Sequence, residues 1–147
     1  MSQPILLVED DRDDEALVRR VLSSFRAADH VVVAHDGAEA LDYLFALGRF
    51  SDREAAQVPK LILLDLSLPK IDGMEVLRQI RADPLTKPVP VVILTSSRQH
   101  EDLLSGYGAG ANSYVVKPSD LEKFLEAARD LGRYWLELNT VPTAVAS

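Results

Sequence analysis

Cysteine is absent from the chain, and aromatic residues are few, at 6% of its 147 residues. The absence of cysteine excludes a disulfide framework and any metal site built from thiolates. Such a composition is typical of a cytoplasmic protein, and we expect a cytoplasmic location. No apolar run approaches the roughly 20 residues that a membrane-spanning helix needs. The first residues, Met-Ser-Gln-Pro followed by a short apolar run and then acids, do not form a signal peptide.

Positive charge is also scarce. The chain carries 16 lysines and arginines against 23 aspartates and glutamates, which gives a net charge of -7. Nucleic acids and anionic membranes bind basic surfaces, so we expect neither as a direct partner. Because 47% of the residues are hydrophobic, the chain is expected to fold around a packed core. Its length predicts a single domain over 1–147, with a core at about 4–138, a flexible tail at 139–147 and no output domain.

Short apolar runs alternate along the chain with segments of helical periodicity. The predicted strands cover residues 5–8, 31–33, 61–65, 91–94 and 112–116. The predicted helices cover residues from about 13 to 25, 38–47, 73–82, 100–109 and 120–138, and a surface loop covers 48–59. This alternation predicts an α/β fold in which a five-stranded parallel sheet carries helices on both faces, joined by right-handed crossovers.

Polar side chains follow four of the five predicted strands. They are Glu9 with Asp10, Asp65, Thr95 and Lys117. The carboxyl ends of parallel strands lie along one edge of the sheet, and ligands of open α/β sheets bind there. Clustered carboxylates suit Mg²⁺, a lysine and a hydroxyl would contact phosphoryl oxygens, and Asp65 would be the nucleophile that forms an acyl phosphate.

Four motifs carry a resemblance to a known family. Val-Glu-Asp-Asp at 8–11, Leu-Asp-Leu-Ser-Leu-Pro at 64–69 with Asp-Gly at 72–73, Leu-Thr-Ser at 94–96 and Tyr-Val-Val-Lys-Pro at 114–118 resemble the receiver domain of two-component response regulators. The resemblance covers about residues 4–138. It implies the flavodoxin-like receiver fold, with strand order 2-1-3-4-5.

The resemblance also implies residue roles. Asp65 would be the phosphorylation site. Asp10 and Asp65 would bind Mg²⁺ directly, Glu9 would act through water, and the backbone carbonyl of Ser67 would be a further ligand. Thr95 and Lys117 would contact the phosphoryl group. Glu9 stands where the family often has aspartate, which affects only the outer metal geometry.

Two structural features are expected around the phosphoryl group. A cis peptide bond between Lys117 and Pro118 would turn the chain so that the lysine points back at Asp65. Cis bonds occur almost only before proline, and the resemblance implies the same.

A switch would couple Thr95 to Tyr114, because a phosphate that draws the Thr95 hydroxyl inward would open space for the Tyr114 ring. The competing view is that Tyr114 is a fixed, half-exposed aromatic residue.

A narrower resemblance points to the partner. The loop at 48–59, Leu-Asp-Tyr-Leu at 41–44, Thr-Ser-Ser at 95–97 and Tyr-Trp-Leu-Glu-Leu at 134–138 are similar to single-domain regulators that serve phytochrome-type histidine kinases. The expected function is therefore that of a phosphorylation-switched response regulator, which signals through protein contacts and is not an enzyme. A phosphorelay intermediate or a phosphate sink remains an alternative.

Two other classes are less favoured. An aspartyl-phosphate hydrolase needs a second acid two residues after the nucleophile, and Ser67 stands at that position. An adaptor that has lost phosphorylation is disfavoured by the complete set of polar strand ends.

The last predicted helix is too long for the sheet. Residues 120–138 span roughly 28 Å, whereas a five-residue strand covers about 17 Å. Phe124 and Leu121 are expected to pack on the sheet, and the overhanging apolar residues are expected to form a homodimer interface together with the strand at 112–116. The predicted interface consists of Leu131, Tyr134, Trp135 and Leu138.

Overall fold

A five-stranded parallel sheet forms the centre of the computed structural model, which describes residues 3–28 and 30–141. The strands are β1 (Ile5–Val8), β2 (Val31–Ala34), β3 (Leu61–Leu64), β4 (Val91–Thr95) and β5 (Ser113–Val116). Their order is β2-β1-β3-β4-β5, which confirms the predicted fold class. The order reverses between β1 and β3, so the carboxyl ends of these neighbouring strands border the crevice where such sheets bind ligands.

Five helices cover the two faces of the sheet. They are α1 (Arg12–Leu22), α2 (Gly37–Leu44), α3 (Gly73–Ala82), α4 (His100–Gly108) and α5 (Leu121–Gly132). α1 and α5 pack together on one face, while α2 and α3 cover the other face, where α4 also lies against β5. Both faces are therefore buried, which explains why the central strands read as continuous apolar runs instead of alternating patterns.

Alternate residues of each central strand enter different cores. In β3, for example, Leu61 and Leu63 pack towards α1 and α5, whereas Ile62 and Leu64 pack towards α2 and α3. β1 and β4 divide in the same way, because successive side chains of a strand point to opposite faces. A shift of one residue in any of these strands would exchange the two cores, so the register that sets the strand ends is strongly specified.

Aspartates begin four of the helices that follow strands. The side chains of Asp11, Asp36, Asp72 and Asp120 accept hydrogen bonds from backbone N–H groups in the first turns of α1, α2, α3 and α5. Each cap satisfies donors that have no partner within the helix and places a carboxylate at the positive end of the helix dipole. The presence of these four acids is therefore explained by helix capping.

The C-terminal helix differs from the prediction of one continuous helix over 120–138. α5 ends at Gly132, and a π-helical turn, Arg133–Leu138, follows it. Gly132 packs directly on the Phe25 ring, where a Cβ atom would lie 2.6 Å from a ring carbon. A π turn accommodates one extra residue and so rotates the residues that follow. Trp135 and Leu136 consequently pack partly against the core beneath α1 and α5.

Two expectations about this helix are wrong. Leu131 was assigned to the dimer face, but it is 7% exposed and belongs to the protein's own core. Leu121, the first residue of α5, is predicted to pack on the sheet, but it is 55% exposed. Phe124 is buried as expected, and Tyr134 and Leu138 are exposed.

The loop at 48–59 is anchored on α2. It contains a short 3₁₀ turn, Gly48–Phe50, and the Phe50 ring meets the Tyr43 ring edge-on at 5.3 Å. The Arg53 guanidinium lies 4.1 Å from the centre of the Tyr43 ring and donates a hydrogen bond to the Tyr43 carbonyl.

Of the predicted flexible tail, residues 142–147 lie outside the described residues. Among the described helices, none is long and apolar enough to cross a membrane.

Candidate functional site

Three carboxylates meet at the carboxyl edge of β1 and β3. Val8 and Leu64 are partners in the sheet, so Glu9 and Asp65 leave neighbouring strands side by side, and Asp10 follows Glu9. One carboxylate oxygen from each of these residues lies within 4.8 Å of the other two. Glu9 and Asp65 are buried, at 1% and 6% exposure, and Asp10 is exposed. The topology therefore brings together the three carboxylates that the sequence predicted.

This donor set fits Mg²⁺. The ion prefers oxygen ligands in octahedral geometry and keeps several of its waters, so it is held by few carboxylates. Asp10 is exposed to solvent, whereas Glu9 and Asp65 are buried, and these three residues would hold the ion. Ser67, predicted to contribute its carbonyl, lies exposed beside the cluster, and its N–H donates a 3.1 Å hydrogen bond to Asp65 Oδ1. Its role as a ligand stays a prediction.

Lys117, at the end of β5, reaches into the same cluster. Its Nζ lies 3.0 Å from Asp65 Oδ2, 2.8 Å from Glu9 Oε1 and 2.7 Å from Asp14 Oδ2. Burial alone would lower the pKa of Lys117, but the hydrogen bonds to Asp14 and Glu9 outweigh it, and the pKa is raised. The ammonium is therefore charged and has one carboxylate partner for each of its three N–H groups.

The Glu9 and Asp65 carboxylates differ in how readily they ionise. Burial raises the pKa of Glu9 to about 8, and the hydrogen bond from Lys117 only partly offsets this. Burial would also raise the pKa of Asp65, but hydrogen bonds from Glu9 and Lys117 outweigh burial and lower the pKa. When two such carboxyl groups share a site, one of them holds a proton, and here it is Glu9. Asp65 is left ionised, as a nucleophile must be.

The peptide bond before Pro118 is trans, so the predicted cis bond is wrong. No peptide bond within residues 3–28 and 30–141 is cis. The prediction assumed that the backbone had to reverse in order to aim the lysine at Asp65. Instead, the flexible four-carbon stem of Lys117 supplies the reach, and its ammonium arrives at 3.0 Å from Asp65 without that reversal.

Thr95 ends β4, next to β3, and is buried at 1% exposure. Its hydroxyl accepts a long hydrogen bond of 3.5 Å from the N–H of Ser97, and its carbonyl accepts one of 2.7 Å from the N–H of Lys117. The second bond ties the end of β4 to the residue that carries the ammonium group. Thr95 thus lies at the predicted sheet edge, and its contact with a phosphoryl group stays a prediction.

Tyr114, on β5, is linked to the loop after β4. Its hydroxyl donates a 3.1 Å hydrogen bond to the carbonyl of Ser97, whose own hydroxyl donates to Asp102 on α4. The ring is half-buried against Gly106, where a Cβ atom would come within 3.3 Å of it, and burial raises the pKa of the phenol. These contacts connect Tyr114 to the same loop as Thr95, and the predicted two-state switch stays a prediction.

Sequence reasoning missed Asp14. As an acid in the first turn of a helix, Asp14 is explained by the helix dipole alone, and its place in that turn indicates no further role. In the structure it also forms one of the three ion pairs of Lys117. The signal was present in the helical spacing. Asp14 lies four and seven residues before Val18 and Val21, which are buried, so a carboxylate begins the inward face of α1.

Comparisons with known proteins agree with this geometry. Residues 5–129 match the family described as the response regulator receiver domain. The response regulator Rcp1 from Synechocystis sp. is 38% identical over 140 residues, which cover 95% of this chain and 93% of Rcp1.

Two solved structures are similar along nearly the whole chain. The phosphorylated cyanobacterial phytochrome response regulator RcpA has a TM-score of 0.91 and 36% identity, covering 97% of this chain and all of RcpA. The Mn²⁺-bound form of Rcp1 has a TM-score of 0.90 and 36% identity, covering 96% and 99% of the two chains. Receiver domains use Mg²⁺, and the Glu9, Asp10 and Asp65 cluster fits it. The chain belongs to the response regulator receiver domains, the phosphoryl-accepting modules of two-component signalling.

Proposed function

We propose that Asp65 is the residue that accepts the phosphoryl group, and that the donor is the phosphohistidine of a phytochrome-type sensor histidine kinase. The observation that carries the proposal is that the Asp65 carboxylate contacts a lysine and also belongs to a cluster of metal-binding type. Lys117 Nζ lies 3.0 Å from Asp65 Oδ2, and oxygens of Glu9 and Asp10 that would help to hold Mg²⁺ lie within 4.8 Å of an Asp65 oxygen.

The chemistry follows from this placement. An ionised Asp65 oxygen attacks phosphorus, the bond between phosphorus and the histidine nitrogen of the kinase breaks, and the nitrogen keeps the electron pair. Lys117 stabilises the negative charge on the transferred phosphoryl oxygens, as does a bound Mg²⁺ when present. The Thr95 hydroxyl, at the end of the neighbouring strand, donates to one of those oxygens. Asp10 and Asp65 would hold Mg²⁺ directly, Glu9 would act through water, and the Ser67 carbonyl would be a further ligand.

The kinase class is inferred from the relatives. RcpA is a phytochrome response regulator and covers nearly the whole chain, as does Rcp1. The anchored loop at 48–59 and the Tyr-Trp pair near the C-terminus support the same assignment, since both belong to the stretches that resemble that subgroup. Output through protein contacts is consistent with the net charge of -7, which disfavours direct binding to nucleic acid and anionic membrane. We infer a cytoplasmic location, where sensor kinases present their phosphohistidine.

Label transfer tests the proposal. The wild-type protein should take up ³²P from a phytochrome-type kinase and from acetyl phosphate when Mg²⁺ is present, and should take up none in EDTA. Asp65→Asn keeps the shape but removes the nucleophile, and it should not be labelled. Asp72→Asn is the matched control, since asparagine caps a helix as well as aspartate does, and it should be labelled normally. Labelling of Asp65→Asn at the wild-type rate would show that another residue is the acceptor.

We also infer that the protein is a homodimer built on the C-terminal segment. Exposed apolar side chains support this inference: Tyr134 is 49% exposed and Leu138 is 69% exposed, on the same short turn. Trp135 contacts Tyr134 edge-on, with ring centres 5.0 Å apart, and is itself only partly buried. With Leu131 in the core, the proposed interface reduces to Tyr134, Trp135 and Leu138. Sedimentation at micromolar concentration should give a dimer, whereas a monomer would contradict the inference.

A further inference from the structure

Lys117 has a third carboxylate partner that lies outside the metal cluster. Its Nζ is 2.7 Å from Asp14 Oδ2, compared with 2.8 Å to Glu9 and 3.0 Å to Asp65. Glu9 and Asp65 belong to the set whose oxygens lie within 4.8 Å of one another, and Asp14 does not. The three ion pairs of the lysine are therefore unequal. A divalent cation would compete with Lys117 for the oxygens of Glu9 and Asp65, but not for those of Asp14.

Binding a cation changes the partners of Lys117. With a metal ion bound, the oxygens of Glu9 and Asp65 would serve the ion and would be less available to the ammonium. A buried ammonium that loses hydrogen-bond partners carries a large free-energy cost. Asp14 limits that cost, since it keeps its contact with Lys117 and does not bind the metal. Its position on the first turn of α1, with a backbone N–H that donates to Asp11, holds the carboxylate in place.

Asp14 has the opposite effect on a phosphoryl group bound to Asp65, because it competes with that group for Lys117. The phosphoryl oxygens need an N–H group from Lys117, and Asp14 already occupies one of the three. The carboxylate also offsets part of the positive charge that the phosphoryl group would otherwise feel. Asp14 therefore favours the metal-bound pocket but competes with the phosphoryl group for the lysine.

We propose that Asp14 is a positioning residue that acts through Lys117: it frees Glu9 and Asp65 for the metal ion and weakens the hold of Lys117 on the phosphoryl group. This inference rests on the proposed function of Asp65 and adds to it a residue that sets the balance between the two steps. Asp14 does not touch the reacting atoms, and it acts by being the partner that Lys117 retains.

The experiment compares Asp14→Asn with Asp13→Asn. Both changes remove one negative charge from the first turn of α1, but Asp13 is exposed, and its side chain takes part in none of the ion pairs found among the described residues. Binding of Mn²⁺ is measured by the electron paramagnetic resonance signal of the free ion. Binding of beryllofluoride, a phosphoryl mimic, is measured by ¹⁹F NMR at saturating Mg²⁺. Circular dichroism checks that each variant is folded.

Asp14→Asn should shift the two equilibria in opposite directions. We expect the dissociation constant for Mn²⁺ to rise about tenfold, because Lys117 then competes more strongly for Glu9 and Asp65. The dissociation constant for beryllofluoride should fall by roughly threefold to tenfold, because an N–H group becomes free for the anion. Asp13→Asn should change each constant less than about twofold, as expected for screened surface charge. Asp14→Ser should repeat the Asp14→Asn result and replaces it if that variant fails to fold.

A merely structural role would not produce opposite shifts. If Asp14→Asn leaves either constant unchanged, shifts both in the same direction, or matches Asp13→Asn, the inference is overturned. If the wild-type protein binds neither Mn²⁺ nor beryllofluoride, the proposed function of the site fails as well. The wild-type result therefore separates the failure of the proposed function from the failure of this inference.

Discussion

Glu9 gives the pocket a dependence on pH that its sequence position does not reveal. Burial raises its pKa from the ordinary value of 4.5 to about 8, so between these values the folded protein holds a proton that the unfolded chain has released. The stability that this proton contributes is fully present below pH 4.5 and is lost as the pH rises through about 8. Asp65, whose pKa is lowered, acts in the opposite sense and only in more acidic solution.

We therefore predict that the free energy of unfolding of the metal-free protein falls as the pH rises. Urea denaturation in EDTA should give a lower value at about pH 8.5 than at about pH 5.5. Glu9→Gln stays neutral at every pH, so the difference between wild type and this variant isolates the contribution of Glu9. A wild-type profile that runs parallel to that of Glu9→Gln would contradict the assigned proton.

The same proton predicts a pH-dependent metal affinity. Metal ligands must be deprotonated, so a cation has to displace the proton from the Glu9 and Asp65 pair. Mg²⁺ binding should tighten as the pH rises towards about 8 and level off above it. Calorimetric titration with Mg²⁺ at several pH values measures this directly. Equal affinity on both sides of neutral pH would show that Glu9 is already ionised in the metal-free pocket.

The start of α3 holds the end of β3 in place, and a single glycine decides how closely they approach. A Cβ atom on Gly73 would lie 2.3 Å from the carbonyl oxygen of Asp65 and 2.7 Å from Leu66 Cα. Both are backbone atoms, so they cannot rotate out of the way as a flexible side chain would. The close approach of the helix to the strand therefore fixes the position of the Asp65 backbone.

We predict that Gly73→Ala displaces Asp65. The overpacking should lower the free energy of unfolding by about 1–3 kcal/mol, and phosphoryl uptake should fall more than this loss of folded protein explains. Gly108→Ala is the matched control, because nothing lies within 4 Å of its Cβ position at the end of α4. Alanine should be neutral or slightly stabilising there. Urea denaturation and label uptake measure the two effects, and equal uptake by both variants would refute the prediction.

At the scale of the whole molecule, the proposed dimer contacts lie on the exposed apolar side chains of the C-terminal turn. Leu138→Glu should weaken the dimer and leave the stability of the monomer nearly unchanged, because Leu138 is 69% exposed. Trp135→Glu should weaken the dimer and also destabilise the monomer. Trp135 packs partly against the core, and an unpaired carboxylate there is costly. Sedimentation and thermal unfolding of the two variants separate the effects. A Leu138→Glu protein that remains dimeric at micromolar concentration would show that this surface is not the dimer interface.

The π-helical turn shows why helical spacing alone does not predict which apolar residues of the C-terminal segment are exposed. The pattern through Leu131, Trp135 and Leu138 has the steps of three and four residues that a regular helix places on one face. The π turn adds a residue to the register, and Gly132 allows the Phe25 ring to approach. These contacts join residues more than 100 positions apart, so no local pattern contains them. Leu131 lies before the π turn and is buried within α5 itself, whereas Trp135 follows the start of the turn and packs partly against the core. Of the four predicted interface residues, Tyr134 and Leu138 are the exposed ones.

Local sequence was sufficient for the sheet and for the positions of Glu9, Asp10, Asp65, Thr95 and Lys117. Apolar runs of four or five residues specify buried parallel strands, and the alternation of strands and helices requires all their carboxyl ends to share one edge. Any polar residue directly after such a run must then lie at that edge. This constraint depends only on residue type and spacing, so the carboxylates that meet there could be named before the fold was known.

Only the tertiary structure decided which charges pair, how they titrate and which apolar residues remain outside. Asp14 meets Lys117 across 103 positions of sequence, and the trans bond before Pro118 became sufficient once the lysine stem spanned the gap. The proton on Glu9 depends on its burial between neighbouring strands. These properties arise from distances and solvent exclusion between segments that are remote in sequence, and neither quantity is encoded in residue spacing.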